Sequence, residues 1–529
     1  MLPFDWTFPY TSQKMPLLAA NAVSASQPLA AQAGLSMLYA GGNAVDSAIA
    51  TAIALTVVEP VMNGIGGDMF ALVWHQGQLY GLNSSGSSPA AWTPEYFKGR
   101  EKMPATGWGA VTVPGQVAGW KALSKRFGKL PFAQLFGPAV NYAENGFMVS
   151  PQIARQWDAQ VPVLIDQPGF REAFTRDGRA PQAGERWSFP EQAGTLRAIA
   201  ESDGESFYRG ALAERIDHFS RQTGGALRAT DLAAHEAQWV TPVQQNFRGY
   251  ALHEVPPSGQ GLAALIGLGI LDRFDLEAMG RDSADFYHVS AEAMKLAFAD
   301  LHRHVADPAS MKLSAEDLLD PAYLDERAAL IDMARAAEPS AGMPKTGGTV
   351  YLASADAAGT MVSFIQSNYR GFGSGLVVPG TGISLHNRGE GFSLIPGHVN
   401  CVAPNKKPMH TIIPGFVTRG GEPVMALGVM GGSMQAQGHV QMMARLAAFG
   451  QNPQAMSDAP RFRVEPGPVL NVEAHLPEDV VQALRARGHQ VKVAARDSLE
   501  FGSAQLIYKG EDGYIAASDS RRDGQAVGF

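Results

Sequence analysis

The sequence predicts an α/β protein in which strands are enclosed between helical layers, an α/β/β/α arrangement. Small and apolar residues recur at helical spacing through much of the first half. A strand-rich part begins at Thr349, and helical patterns resume near the C-terminus. Strands that lie between helical stretches on both sides are typical of stacked sheets covered by helices.

The first third predicts a pair of closely packed helices followed by a pair of strands. Gly41 and Gly42 end the first helix, and His75-Gln76-Gly77 separates two short apolar runs that read as a β-hairpin. The elements predicted there are helices over residues 28–39 and 43–57 and strands over 69–74 and 78–82.

The middle of the chain, residues 115–330, predicts mostly helices, and residues 336–348 predict an exposed flexible segment because they lack periodicity. An Asp356-to-Gly359 turn separates the first two strands that follow. The remaining predicted elements are helices 262–271 and 286–305, strands 349–355, 361–369, 382–387, 409–417 and 424–429, and helices 436–449 and 478–487.

Composition excludes several classes of partner. The chain has 529 residues, 45% of them hydrophobic, with 58 glycines and a net charge of -8. This balance predicts a globular protein, and the lack of a long basic run argues against a nucleic-acid or membrane surface. We therefore expect a small-molecule substrate.

Cysteine and terminal signals give a weak indication of location. Cys401 is the single cysteine, so an intrachain disulfide and a thiolate metal cluster are both excluded. The first residues lack a basic stretch followed by an apolar segment, which favours a cytoplasmic location, or a periplasmic one if a leader has been trimmed.

Neither a metal nor a dinucleotide is predicted. His302 and His304 are two residues apart on a predicted helix and would point to different sides, so no metal and no other cofactor is expected. The run Gly64-Ile65-Gly66-Gly67 follows a helix and not a strand, which disfavours dinucleotide binding.

The junction of Gly348 and Thr349 is a candidate self-cleavage site, since it lies between a flexible segment and a strand. A cut there would give Thr349 a free α-amine beside its hydroxyl. With a pKa of about 7.7–8.0, such an amine accepts the hydroxyl proton at neutral pH. Taken alone, the Gly-Thr pair is a weak signal.

Motifs along nearly the whole chain strengthen this interpretation. They include Gly41-Gly42-Asn43-Ala44-Val45-Asp46, Gly64-Ile65-Gly66-Gly67-Asp68, Pro256-Pro257-Ser258, Pro404-Asn405-Lys406, Gly431-Gly432-Ser433 and Ala517-Ser518-Asp519. In order and spacing they resemble the γ-glutamyltransferase (glutathione hydrolase) family. The resemblance implies a four-layer αββα sandwich of the N-terminal-nucleophile hydrolase type, with one catalytic unit made of segments 1–348 and 349–529.

The resemblance also implies catalytic roles. The nucleophile lies seven residues before the Asp of a D-x-x-G turn, which assigns Thr349 as nucleophile and, through its α-amine, as base. Ser367 takes the place of a second threonine that hydrogen-bonds the nucleophile. Gly431 and Gly432 match the paired glycines whose backbone N–H groups form the oxyanion hole. The two fragments should stay associated after cleavage as a heterodimer, and the assembly that the resemblance implies is a dimer of such heterodimers.

On the substrate side the sequence departs from the family pattern. Ser85 stands at the position of the arginine that holds the glutamyl α-carboxylate, and Gly391, beside Glu390, stands at that of the aspartate that fixes the α-amine. A γ-glutamyl substrate is therefore in question. The residues expected to line the substrate side are Arg388, Tyr369, Asn387, His410, Thr411, Ser85 and Glu390, and Arg370 is a second candidate cation.

Three functions stay open at this point. The first is hydrolysis or transfer of a γ-glutamyl or related small amide through an acyl-Thr349 intermediate. The second is a small-amide activity such as that of the oxamate amidohydrolases or cephalosporin-acylase-like enzymes, which the altered pocket resembles. The third is an uncut, non-catalytic scaffold, for which a single uncleaved chain is expected.

Overall fold

The computed structural model describes residues 12–337 and 348–529, which build two stacked antiparallel sheets of seven strands each. One sheet has the order β1-β20-β19-β15-β14-β9-β8 and the other the order β21-β2-β10-β11-β3-β4-β7. The strands are β1 (Leu17–Ala19), β2 (Ala22–Ala25), β3 (Asp68–His75), β4 (Gln78–Ser84), β5 (Phe147–Met148), β6 (Arg186–Trp187), β7 (Gln238–Val240), β8 (Val243–Phe247), β9 (Tyr250–Glu254), β10 (Gly348–Ala355), β11 (Met361–Tyr369), β12 (Val377–Val378), β13 (Ile383–Ser384), β14 (Gly415–Arg419), β15 (Glu422–Met430), β16 (Phe462–Val464), β17 (Val469–Val472), β18 (Gln490–Val493), β19 (Ser503–Lys509), β20 (Tyr514–Ser518) and β21 (Gln525–Gly528).

Helices cover the outer faces of both sheets. The helices are α1 (Pro28–Tyr39), α2 (Ala44–Val58), α3 (Gln116–Phe127), α4 (Gly137–Asn145), α5 (Pro151–Leu164), α6 (Phe170–Phe174), α7 (Pro190–Glu201), α8 (Glu205–Arg209), α9 (Ala211–Gln222), α10 (Ala229–Ala233), α11 (Gly261–Leu271), α12 (Leu276–Met279), α13 (Ala284–His304), α14 (Ala315–Leu318), α15 (Pro321–Ala328), α16 (Met434–Ala447), α17 (Pro453–Asp458) and α18 (Glu478–Ala486). None of these described helices has the length and apolar character needed to cross a lipid bilayer.

Three apolar cores separate the layers. Phe70, Tyr351 and Phe416 belong to the core between the two sheets. A second core packs α1 to α9 against the sheet that contains β10. A third packs α11, α13 and α16 against the sheet that contains β15. The predicted αββα sandwich is therefore confirmed.

The first helix pair forms as its sequence predicts. The side chain of Gln27 caps α1 by accepting from the N–H groups of Leu29 and Ala30, and Asn43 forms a capping box with Asp46 at α2. A Cβ on Gly34 would lie 2.1 Å from Thr51 Oγ1, so glycine is required where the two helices touch.

The two sheets are shared by the chain before and after Thr349. In one sheet the later strands β20, β19, β15 and β14 lie between the earlier strands β1 and β9. In the other, β2 lies between the later strands β21 and β10, and β11 pairs with β3. Neither part of the chain therefore has a complete sheet of its own.

The side chain of Asp356 closes the turn between β10 and β11. Asp356 Oδ1 accepts from the N–H groups of Ala358 and Thr360, and Asp356 Oδ2 accepts from the N–H of Ala44 at 2.8 Å. Gly359 has φ +90°, which a residue with a side chain rarely adopts. The turn ties the β10–β11 hairpin to the N-terminus of α2.

Three element predictions differ from the structure. Residues 238–254 form β7 to β9 inside a part predicted to be mostly helical, and of residues 382–387 only two form a strand. Of residues 409–417, only those from Gly415 onward are in a strand. His410 instead bridges to Gly259, with its N–H donating to the carbonyl of Ser258 at 2.9 Å.

Most of the segment predicted to be flexible, 336–348, lies outside the described residues. Its first two residues are held by side chains of α13 and by the chain after α18. The N–H of Ala337 donates to Glu292 Oε2 at 2.9 Å, and that of Ala336 donates to the carbonyl of Arg487 at 2.7 Å.

Candidate active site

Thr349 is the second residue of β10, and its side chain is buried in a polar environment. Thr349 is 1% exposed. Its Oγ1 donates to Ser367 Oγ at 3.2 Å and accepts from Gln435 Nε2 at 3.3 Å. Both partners orient the hydroxyl, which is the requirement for a side chain that is to act as a nucleophile.

Ser367 lies near the end of β11, directly beside Asp68 of β3 in the strand register. Ser367 Oγ also accepts from the N–H of Tyr369 at 2.7 Å, a residue whose φ is +75°. The left-handed backbone of Tyr369 costs energy in a non-glycine residue. It holds the Tyr369 N–H against the serine and fixes the position of the Ser367 hydroxyl.

Gly431 and Gly432 form the tight connection between β15 and α16. Their φ angles are +126° and +62°. The Gly431 carbonyl accepts from the N–H of Met434 at 3.1 Å, and the Gly432 carbonyl accepts from Gln260 Nε2 at 2.7 Å. Within residues 12–337 and 348–529, no hydrogen-bond acceptor pairs with the N–H groups of these two glycines.

Two glutamines complete this arrangement, and neither is among the residues predicted from the sequence. Gln435 is in the first turn of α16, and its Oε1 accepts from the N–H of Ile413 at 3.0 Å, which points its Nε2 toward Thr349. Gln260 precedes α11 and its Nε2 also donates to the carbonyl of Thr411. A signal was available for Gln435, which lies three residues after Gly432 at the start of a predicted helix.

Arg388 is the buried cation of the site. It is 1% exposed, donates from Nη1 to Thr411 Oγ1 at 2.8 Å, and has its guanidinium carbon 4.4 Å from the centre of the Tyr369 ring. Its Nε and Nη2 have no hydrogen-bond partner among the described residues. Burial lowers the pKa of Arg388 to about 10, against the raising effect of Asp68, so the guanidinium is charged at neutral pH. A buried cation with two unused donor groups is suited to an anionic ligand.

Arg370, the other candidate cation, is already paired. Its Nη2 donates to Glu390 Oε1 at 2.6 Å and its Nε donates to Glu390 Oε2. Asn387 supports the pair by accepting from the Arg370 N–H at 3.0 Å and donating to the carbonyl of Ala105 at 2.7 Å. Glu390 therefore has its charge compensated by Arg370.

Asp68 and His410 form a fully buried pair beside Arg388. His410 Nε2 lies 3.1 Å from Asp68 Oδ2, and Asp68 Oδ1 accepts from the N–H groups of Gly86 and Gly115. Burial raises the pKa of Asp68 to about 7, although Arg388 opposes the rise. Burial and the charge of Arg388 lower the pKa of His410 well below its usual range, so its imidazole is neutral.

We expect the Asp68→Asn variant to lose part of the pH dependence of stability. An unfolded aspartate releases its proton near pH 3.8, whereas the folded one retains it up to about 7. Between these values the native state binds more protons, so the Asp68 contribution to stability decreases as pH rises from 4 to 7. Melting temperatures of the uncut Thr349→Ala protein, with and without Asp68→Asn, test this. A parallel pH dependence of the two curves would contradict the shift.

Ser85 is buried near this pair, and its hydroxyl donates to Asn83 Oδ1 at 2.8 Å. The next N–H, that of Gly86, binds Asp68. Ser85 therefore hydrogen-bonds Asn83 within its own segment, and its described hydrogen bonds do not include Arg388, Tyr369 or Thr411.

A cleft of about 890 Å³ opens beside these residues. Of the predicted substrate-side residues, Tyr369, Glu390 and Thr411 line it, together with Arg370. Arg388 is not among the lining residues, but it contacts two of them, Tyr369 and Thr411. A buried cation with unused donor groups and an oriented threonine hydroxyl are thus linked through Tyr369, which contacts Arg388 with its ring and Ser367 with its N–H.

One cluster has the composition of a metal site and lies elsewhere. His288, Glu292 and His489 are buried with their ligand atoms within 4.8 Å of one another. The ammonium of Lys295 donates to Glu292 Oε1 at 2.7 Å, so the carboxylate already has a cationic partner. We assign the cluster to the packing of α13 against the chain that follows α18.

The layered architecture defines the class of this protein: it has the fold of the N-terminal-nucleophile amide hydrolases. Residues 30–529 match the family model described as gamma-glutamyltranspeptidase. The chain belongs to the γ-glutamyltranspeptidase family, as its motifs predicted.

Relatives within the family carry several activities in their names. The chain is 38% identical to the glutathione hydrolase-like YwrD proenzyme of Bacillus subtilis, over 95% of this chain and 97% of that protein. It is 36% identical to the oxamate amidohydrolase proenzyme of Klebsiella pneumoniae, over 95% of this chain and 97% of that protein. The crystal structure of cephalosporin acylase from Bacillus halodurans superimposes with a TM-score of 0.96, at 46% identity over 100% of this chain and 99% of that one.

Proposed function

We propose that this protein is a self-processing amide hydrolase that cuts its own chain before Thr349 and then hydrolyses amides of short dicarboxylic acids. The observation that carries the proposal is the buried Thr349 hydroxyl, held between Ser367 Oγ and Gln435 Nε2 at the start of a central strand. The proenzyme names of the relatives support the self-processing step.

In the cutting step, Thr349 Oγ1 attacks the carbonyl carbon of Gly348. The peptide C–N bond breaks, the Thr349 nitrogen takes up the hydroxyl proton, and the acyl group passes to the oxygen as an ester. Water then hydrolyses the ester and releases the carboxylate of Gly348. The product has a threonine with a free amine at its N-terminus, which serves as base for its own hydroxyl.

In turnover the same hydroxyl attacks the amide of the substrate. The N–H groups of Gly431 and Gly432 are the proposed donors to the negatively charged oxygen of the tetrahedral intermediate, because they have no partner among the described residues. The amine leaves with a proton from the Thr349 ammonium, and water then hydrolyses the acyl-Thr349 ester.

The acyl side of the site favours a carboxylate without a neighbouring ammonium. Arg388 offers two unused N–H groups for the carboxylate. A γ-glutamyl group would also need an anion for its α-ammonium, but Glu390 is paired with Arg370, and Asp68 is buried with a raised pKa. We therefore favour oxalyl, malonyl or glutaryl groups over γ-glutamyl, in line with the relative named oxamate amidohydrolase.

The test combines intact mass with a substrate panel. The purified protein is expected to consist of two fragments, 1–348 and 349–529, and to release ammonia from oxamate, malonamate or glutaramate faster than from glutamine. Turnover of γ-glutamyl-p-nitroanilide with none of the three half-amides would contradict the acyl preference. A single uncut chain without turnover would instead support the non-catalytic scaffold.

Ser367→Ala is expected to slow both self-cleavage and turnover by about 10- to 100-fold, since a hydrogen bond to the reacting hydroxyl is lost. Ser367→Thr keeps a hydroxyl at this position and is the matched control. The measurement is the rate of fragment appearance followed by kcat on the cut protein. Equal rates for Ser367→Ala and the wild type would exclude the proposed orientation of Thr349.

A further inference from the structure

Gln260 is a fully buried polar side chain that takes no part in the proposed bond-making steps. It is 0% exposed and immediately precedes α11, a helix whose residues are all buried. Its N–H donates to the carbonyl of His410 at 2.8 Å, which fixes its backbone. The Gln260 side chain therefore projects from a well-packed part of the molecule.

The side-chain amide of Gln260 joins two separate parts of the site. Its Nε2 donates to the carbonyl of Gly432 at 2.7 Å and also to the carbonyl of Thr411. Gly432 belongs to the proposed oxyanion site, and the Thr411 hydroxyl accepts from Arg388 Nη1 at 2.8 Å. A chain of contacts thus runs from the proposed oxyanion donors through Gln260 and Thr411 to the buried cation.

Neither part that Gln260 joins is held by regular secondary structure. Residues 411–414 lie outside the helices and strands, and the Gly431-Gly432 turn has two successive positive φ angles. Glycine has more accessible backbone conformations than other residues, so the direction of the N–H groups in this turn depends on contacts from outside it. Besides Gln260, the described donor to the Gly432 carbonyl is the N–H of Gln435, at 3.3 Å.

We propose that Gln260 is a positioning residue that sets the spacing between the oxyanion site and Arg388, and thereby the length of the acyl group that the enzyme prefers. The inference rests on the proposed amide hydrolase activity. In a half-amide, the carbonyl under attack and the carboxylate are separated by a set number of carbon atoms. Both ends bind well only if the spacing of the two binding groups matches that number, and an error of about 1 Å costs about 100-fold in rate.

Gln260→Met tests the role in catalysis, because it nearly keeps the side-chain volume and removes the N–H donors. Oε1 of Gln260 has no hydrogen-bond partner among the described residues, so the bonds from Nε2 are the ones that methionine loses. In the cut protein, kcat on the best half-amide should fall about 10- to 100-fold, while KM changes less than about threefold. The carbonyl under attack is then misplaced, whereas Arg388 still binds the carboxylate.

Acyl-length preference gives a second readout, which a simple loss of stability would not produce. Oxamate, malonamate and glutaramate have none, one and three methylene groups between the amide carbonyl and the carboxylate. The wild type should favour one of them by about tenfold or more in kcat/KM, as for a misfit of one methylene. In Gln260→Met this preference should fall to about threefold or less. Gln260→Asn is too short to reach both carbonyls and should lie between the two proteins.

Gln441→Met is the matched control. Gln441 is 2% exposed, and its Nε2 likewise donates to two backbone carbonyls, those of Gln437 at 3.1 Å and Phe462 at 3.0 Å. Its described hydrogen bonds do not include Gly432 or Thr411. The control should lower the melting temperature about as much as Gln260→Met does, while kcat and the acyl-length preference stay those of the wild type.

The outcomes separate the positioning role from the underlying activity. Wild-type kcat or wild-type acyl preference in cut Gln260→Met would overturn the role of Gln260 and leave the amide hydrolase intact. Equal losses in Gln260→Met and Gln441→Met would also overturn it, as would a wild type without preference among the three half-amides. If Gln260→Met does not fold or is not cut, the same criteria apply to Gln260→Asn. No turnover of any amide by the cut wild type would overturn both proposals.

Discussion

Thr349→Ala is expected to leave the 529-residue chain in one piece and without amide hydrolase activity. The substitution removes the only atom that the proposed mechanism uses as nucleophile in both steps, so turnover should fall by at least about 10⁴-fold. Intact mass and ammonia release measure the two effects separately.

Thr349→Ser is the control for this variant, because it keeps a hydroxyl and, after cleavage, an α-amine. We expect it to be cut and to retain measurable turnover. The Thr349 hydroxyl hydrogen-bonds to Ser367 and Gln435 among the described residues. A normal melting temperature of Thr349→Ala would show that losing these two hydrogen bonds does not prevent folding. An uncut alanine variant with full activity would exclude Thr349 as nucleophile.

Arg388→Met is expected to lower kcat/KM for half-amides by about 100-fold or more while self-cleavage continues. The methionine keeps much of the apolar stem but removes the charged donor groups that would bind the substrate carboxylate. Cleavage should continue because the Thr349 hydroxyl is oriented by Ser367 and Gln435 and not by Arg388.

Two further variants control for the loss of charge. Arg388→Lys keeps a cation without the paired N–H geometry. Its kcat/KM for half-amides should lie between those of the wild type and Arg388→Met. Arg370→Met removes a guanidinium that already binds Glu390, so its effect should be smaller than that of Arg388→Met. Equal losses in the Arg370 and Arg388 variants would contradict the assignment of the carboxylate to Arg388.

Elements with strong local patterns were predicted well. The helices α1 and α2, the β3–β4 hairpin and the strands β10 and β11 combine clear periodicity with caps or turns that the sequence displays. The strand β8 was missed because Val243–Phe247 is largely polar and lies at the edge of its sheet, with a partner strand on one side only. Residues 409–414 have an apolar, β-branched pattern, but the backbone of His410 bonds to the loop before α11.

The residues assigned to catalysis follow from the family motifs, whereas the contacts among them depend on the tertiary structure. Gln435 and Thr349 are 86 residues apart in sequence and meet only because β15 and β10 lie in stacked sheets. The sequence offers Arg388 as the substrate-side cation and Arg370 as a second candidate. The structure distinguishes them, because Glu390 pairs with the first and leaves the second with unused donors.

Both sheets contain strands from before and after Thr349, and this sharing sets the order of folding and the proposed self-cleavage. Among the described residues, five strand pairings join the two parts: β1 with β20, β9 with β14, β2 with β21, β2 with β10, and β3 with β11. With the proposed cut before Thr349, the chain must therefore fold before it is cut. Once cut, recovery from denaturation becomes an encounter of two molecules, with a rate that depends on protein concentration, whereas the uncut precursor refolds alone.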